Sequence, residues 1–209
     1  MDNVNIEGIN NISMVKELFS KVNCLEDDNC ILVVINRDYG TTSSAGDILT
    51  TNATVVGTKN GGVAGGIIGG AIASSINSTV QQAVTEFNSK LNDKQKIIFN
   101  TNTYCGYLIN IISSGIGVIP LKNNGQLIPK IKDFKTDIDN YVFFGNDEIE
   151  KVELQKLPLH FSSKKLAIYF ENLGDIPTPW LLPKDHKLLS YQKDNFNKLV
   201  NDILGKFKN

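Results

Sequence analysis

Three cysteines, Cys24, Cys30 and Cys105, and two histidines, His160 and His186, are the residues of this 209-residue chain whose types suit nucleophilic or metal chemistry. A thiol nucleophile needs a base within hydrogen-bond reach and a third group to orient that base. Cys105 with His160, in the segment LPLHFSS, is the pair that would serve a small hydrolase, as would a carboxylate. No G-x-S-x-G elbow or comparable local signature accompanies them, and a buried cysteine beside a loop histidine explains both residues equally well. Five residues separate Cys24 from Cys30 and no second pair follows, so neither a structural zinc site nor any other metal or cofactor is expected. The acidic runs Glu26–Asp28 and Asp147, Glu148, Glu150 lack calcium-loop spacing and read as solvated turns.

Charge offers a second kind of chemistry. Lys130, Lys132 and Lys135, with Lys164 and Lys165, are candidate binding residues for anionic groups. Alternation of Lys130 and Lys132 around Ile131 fits a solvated strand face as well. The chain as a whole carries 21 basic and 22 acidic residues, a net charge of −1, without the basic excess that phosphate contacts require of a nucleic-acid binder.

Gly61, Gly65, Gly69 and Ala73 recur every four residues inside an uncharged stretch, with a second glycine beside each of the first three. On a helix this spacing makes a smooth face that admits another backbone. The cost is about 1 kcal/mol per exposed helical glycine relative to alanine. Three readings stay open: a flexible loop leading into a helix from Ala73 to Leu91, a helical hairpin packed on itself or on a sister chain, and reversible membrane insertion. The segment is too polar at Asn77, Gln81 and Gln82 for a spanning helix. Neither GxGxxG nor GxxxxGK[ST] occurs, which removes a nucleotide-phosphate loop.

These residues must be positioned by elements legible in the hydropathy pattern. Val15, Leu18, Phe19 and Val22 fall on one face of a helix capped by Asn11 or Ser13. Strands are expected at Ile31–Ile35, Ile48–Val56, Lys96–Asn100, Tyr104–Ile112, Gly117–Leu121, Tyr141–Phe144, Ile149–Leu157 and Leu166–Glu171. The imperfect alternation in EIEKVELQKL predicts a bulge or a short turn. A last strand, Trp180–Leu182, lies between Pro179 and Pro183, which should confine it to an edge. A loop occupies Lys122–Asn140. Phe196, Leu199, Val200, Ile203, Leu204 and Phe207 define a C-terminal amphipathic helix, with Ser190 as its cap and Asp194 near its start. An apolar stripe of that width needs a cover, and the open end of a curved β-sheet would supply one.

The strand order from Lys96 onward, the phrases DEIEKVEL and KKLAIYFEN, and the closing helix resemble the pleckstrin-homology-like fold as found in bacterial proteins. The resemblance implies an α+β domain whose bent antiparallel sheet or barrel is plugged by the C-terminal helix. It also implies a glycine-rich insertion between early strands, and binding or scaffolding in place of catalysis. On that reading residues 1–30 are an N-terminal helical segment and 31–209 the domain, with the insertion at 57–95. The long Lys122–Asn140 loop and the N-terminal helix depart from the usual pattern. The expected function is a non-enzymatic interaction module for a protein partner or an anionic membrane surface. A glycine-driven, self-assembling or membrane-associated homo-oligomer is one rival; the small hydrolase is the other. The start MDNVNIEGINN has no basic or apolar leader, and the sparse cysteines form no disulfide framework, so a cytoplasmic place is expected, peripheral to the membrane if headgroups are the ligand.

Overall fold

The computed structural model describes residues 9–25, 29–35, 85–100, 103–122, 134–156 and 162–206, the last five by backbone alone. Gly61, Gly65, Gly69, Ala73, Lys130, Lys132, His160 and the strand expected at Ile48–Val56 lie outside the described residues.

Helix α1, Ile12–Lys21, begins where the side chain of Asn11 accepts the backbone N–H of Ser13 at 2.9 Å. Its buried face is Val15, Leu18 and Phe19. Eight strands follow: β1 Cys30–Ile35, β2 Tyr104–Ile112, β3 Gly115–Lys122, β4 Lys135–Thr136, β5 Val142–Gly145, β6 Ile149–Lys156, β7 Ser163–Phe170 and β8 Trp180–Pro183. They form one antiparallel sheet in the order β4-β3-β2-β1-β8-β7-β6. β5 shares the outer edge of β3 with β4, pairing Gly115–Val118 while β4 pairs Leu121 and Lys122.

Two observations require this sheet to curl. β5 and β6 stand at opposite ends of the pairing order, yet only residues 146–148 connect them. Such a link reaches about 14 Å at most. Phe144 on β5 and Phe170 on β7 meet with ring centroids 4.9 Å apart, although five strand spacings, about 24 Å in a flat sheet, lie between their strands. The sheet therefore bends round an interior, and it stays open because no described pairing joins β5 to β6.

Strand alternation then sends side chains to two cores. Ile31, Val33 and Ile35 of β1 face the enclosed interior with Tyr107, Ile109, Ile116, Leu166, Ile168 and Trp180. Cys30 and Leu32 face outward with Leu108, Ile119 and Leu121, and α1 covers them through Val15, Leu18 and Phe19. Burial on both faces explains why CILVVI and YCGYLINII read as continuous apolar runs, while IEKVELQK of β6 alternates.

Helix α3, Gln192–Lys206, covers the enclosed interior. It touches β1, β6 and β8, with Phe196 and Leu199 buried in that core and Val200 packed against it. The expected docking of the amphipathic helix on a curved sheet thus holds along its first half. Its entry is built by Gln192, which is fully buried. The Gln192 side chain accepts the Leu32 N–H at 3.0 Å and donates to the Leu32 carbonyl at 3.0 Å and the Pro183 carbonyl at 2.8 Å. β8 pairs with β1 only at Val34 and Ile35, so one amide side chain continues the ladder where the two strands part.

Four expectations are corrected. Lys96–Asn100 is not a strand: α2, Asp93–Ile98, opens with a reciprocal capping box between Asn92 and Gln95 and turns Ile98 into the core. A short apolar β-branched run does not distinguish the two states, and the cap decides. β8 is not an edge, since it pairs with both β1 and β7; Pro183 stands at its last position, where a missing N–H is tolerated. The Lys122–Asn140 loop contains β4 and a 3-10 turn at Ile138–Asn140. Tyr191, not Ser190, precedes the first residue of α3, its backbone carbonyl accepting the Asn195 N–H at 3.0 Å. The expected bulge is present between Ile149 and Lys151. Among the described residues no helix is long and apolar enough to cross a membrane.

Candidate functional site

β6 pairs with β7 from Ile149↔Phe170 to Lys156↔Lys164, and among the described residues no strand pairs with its other edge. The period of two puts Val152, Leu154 and Lys156 on the face turned to the interior, and Lys151, Glu153 and Gln155 on the outer face. Helix α3 contacts β6. Leu154 on the strand and Val200 on the helix are both half-buried and both pack against the enclosed core. The result is an apolar seam bordered by a strand edge that no described strand pairs.

Lys156 and Lys164 stand directly opposite each other at the end of this seam. Like charges in that position repel at a cross-strand distance of about 5 Å. Among the described residues neither lysine forms an ion pair or hydrogen bond. No Asp or Glu occurs from Leu154 to Phe170, a span that carries Lys156, His160, Lys164 and Lys165.

The outer face of the same strands is neutralised within itself. The Glu153 carboxylate holds the Lys151 ammonium at 2.5 Å and accepts from Gln155 at 2.9 Å and from the Tyr169 hydroxyl at 3.3 Å. Lys151, opposed by burial and helped by Gln155 and Tyr169, keeps this carboxyl below the usual range. Lys165 shares this face and is 6% exposed; burial pulls its ammonium below the ordinary lysine range against the pull of Glu153.

A second polar cluster ties β4 to β3. Asp137, 3% exposed, accepts from Tyr104 at 3.0 Å and Asn140 at 2.8 Å and pairs with Lys122 at 2.7 Å. Burial pushes its carboxyl up, but the Lys122, Asn140 and Tyr104 contacts prevail and hold it below the ordinary value. Burial, reinforced by Asp137, pushes the Tyr104 hydroxyl far up. Cys24 is raised by burial against hydrogen bonds with Tyr141 and the Gly117 backbone. Cys105 donates its thiol to the Leu121 carbonyl at 3.2 Å, and His186 accepts the Leu188 N–H at 3.2 Å on Nδ1. These groups act as structural ties: Asp137 stays ionised at neutral pH, while Tyr104 and Cys24 stay protonated. Among the described residues no three His, Cys, Asp or Glu side chains are placed to hold a metal ion. A shallow hollow of about 470 Å³ between Asn10–Ile12 and Lys187–Ser190 is lined almost wholly by exposed side chains.

Of the lysines singled out by sequence, Lys164 and Lys165 are neighbours on β7 with opposite facing, and Lys135 lies exposed on β4, separated from β7 in the sheet order by β3, β2, β1 and β8. Lys156, Glu153, Tyr169, Asp137 and Gln192 were not singled out. The acid-free span around LPLHFSSKK was the one signal that could have drawn attention to Lys156. No protein-family model, curated protein or solved structure matches the chain.

Proposed function

We propose that the chain is a non-catalytic, pleckstrin-homology-like interaction module that takes an extended segment of a protein partner along β6, against α3. The observation that carries this reading is the edge of the eight-residue strand β6 with which no strand pairs among the described residues, beside the half-buried Leu154 and Val200. An added strand gains main-chain hydrogen bonds from such an edge and side-chain specificity from the pockets beneath it. The pleckstrin-homology-like assignment is supported by a curled antiparallel path, open between its sequence-adjacent ends β5 and β6, with the C-terminal helix over the interior. The protein partner is preferred to a membrane because four strands separate Lys135 from Lys164 and Lys165 in the sheet order, and Glu153 holds the Lys151 ammonium on the outer face.

Short random peptides displayed on phage and selected on the protein provide the test. Selected peptides are expected to bind in fluorescence polarisation, to lose binding in Leu154→Lys, and to keep it in Lys135→Gln. Flotation with phosphatidylserine vesicles in the absence of any selectable peptide would overturn the reading in favour of a membrane surface.

A further inference from the structure

Resting on the strand-addition reading, we infer that the β6 seam is selective for an acidic residue placed two positions before an apolar one in the partner strand, with Lys156 and Lys164 as the specificity-determining pair. The two lysines face each other across β6 and β7 on the same side as Leu154, at the rim of the enclosed core. No described carboxylate neutralises either one, so the pair is a repulsive contact that an incoming anion relieves. The stretch from Leu154 to Phe170 itself carries no acid, so the charge complementarity of the pair favours an acidic side chain from the partner.

The strand period sets the motif. A residue opposite Lys156 and a residue opposite Leu154 in the added strand are two apart and point to the same face. Every pairing in this sheet is antiparallel, so the added strand runs against β6 and passes Lys156 first. Read from its N-terminus, the partner segment is acidic, any residue, apolar, any residue, with a second apolar position opposite Val152. Lys165 takes no part, being buried on the other face.

Sequencing the phage-selected peptides is the first arm, and their alignment is expected to carry that acidic-x-apolar pattern. In the second arm, a selected peptide and its Asp→Asn or Glu→Gln counterpart are titrated against wild type, Lys156→Gln and the Lys156→Gln/Lys164→Gln double variant. The acidic peptide should bind the double variant about three- to tenfold more weakly, with the gap closing as salt is raised. The neutral counterpart should bind all three proteins alike. Thermal melting controls for folding, and the double variant should melt no lower than wild type because a like-charge contact has been removed. Peptides that slow amide exchange in β6 but lack the acid, or whose affinity ignores both lysine substitutions, overturn this inference and leave the strand-addition reading standing. Peptides that protect some other element, or no peptides at all, overturn both.

Discussion

Replacing Gln192 with leucine tests how the closing helix is joined to the sheet. The leucine keeps the volume and removes the amide, leaving the Leu32 N–H, the Leu32 carbonyl and the Pro183 carbonyl without their partner. Each buried backbone group left unpaired costs about 1–3 kcal/mol, so three cost roughly 3–6 kcal/mol once partial relaxation is allowed. Burying a leucine in place of a primary amide returns about 1–2 kcal/mol. The net loss should be about 1–5 kcal/mol, a sizeable part of the roughly 5–15 kcal/mol that holds a domain of this size. Urea unfolding followed by circular dichroism measures it, with an unchanged slope showing that the native and unfolded states have kept their compactness. Gln192→Glu supplies the control in sign. Its carboxyl would face two carbonyls in a buried site, so its folded-state pKa would be raised above the unfolded value. The stability it contributes is then fully present at acid pH and is lost as pH rises through the folded pKa, so this variant should be weaker at pH 7 than at pH 5. Unfolding of Gln192→Leu within about 0.5 kcal/mol of wild type would refute the view that this amide completes the ladder.

Three further perturbations read out other ties. Asp137→Ala leaves Tyr104 and Asn140 without their acceptor and should cost about 1–3 kcal/mol at pH 7, less than a fully buried pair because Lys122 can turn to water. Because the native Asp137 carboxyl is held below its unfolded value, its contribution is present above about pH 4 and fades as pH falls through the folded pKa, so a pH series of urea midpoints should converge for wild type and variant in acid. A Cβ at Gly117 would collide with the Cys24 sulfur, so Gly117→Ala should destabilise by about 1–3 kcal/mol, and adding Cys24→Ala should recover part of the loss in a double-mutant cycle. Among the described residues the Asn110 carbonyl oxygen is buried without a partner, and its amide donates to the Cys30 sulfur at 3.0 Å; Asn110→Leu should therefore leave stability unchanged or raise it by about 1 kcal/mol, and a fall of several degrees in melting temperature would contradict that.

The sequence pattern located most of the described strands because each hides at least one face. Val15, Leu18 and Phe19, and later Phe196 and Leu199, announced their helices through spacing alone. Lys96–Asn100 misled because three apolar β-branched or aromatic residues in a row fit either a strand or a short buried helix, and the deciding signal was the polar Asn92–Gln95 box upstream. The prolines around Trp180 misled for a different reason: an edge was inferred from missing donors, whereas Pro183 falls at the strand end, where its carbonyl serves Gln192. Pairings between distant segments leave no local mark. The meeting of Leu32 with Gln192, of Asp137 with Tyr104 and Lys122, and the curl that brings Phe144 onto Phe170 are of this kind. Lys156 facing Lys164 required the β6–β7 register, which hydropathy cannot set to within one residue, and a slip of one would send Lys156 to the other face.

Amide hydrogen exchange on the wild-type protein, with and without a selected peptide, tests the central claim most directly. Binding is expected to slow exchange at alternate residues within Ile149–Lys156, the pattern of an edge strand whose outward N–H groups gain partners, with smaller changes along α3. Equal rates in β6 with slowed exchange on β3, β4 or α1 would contradict the account.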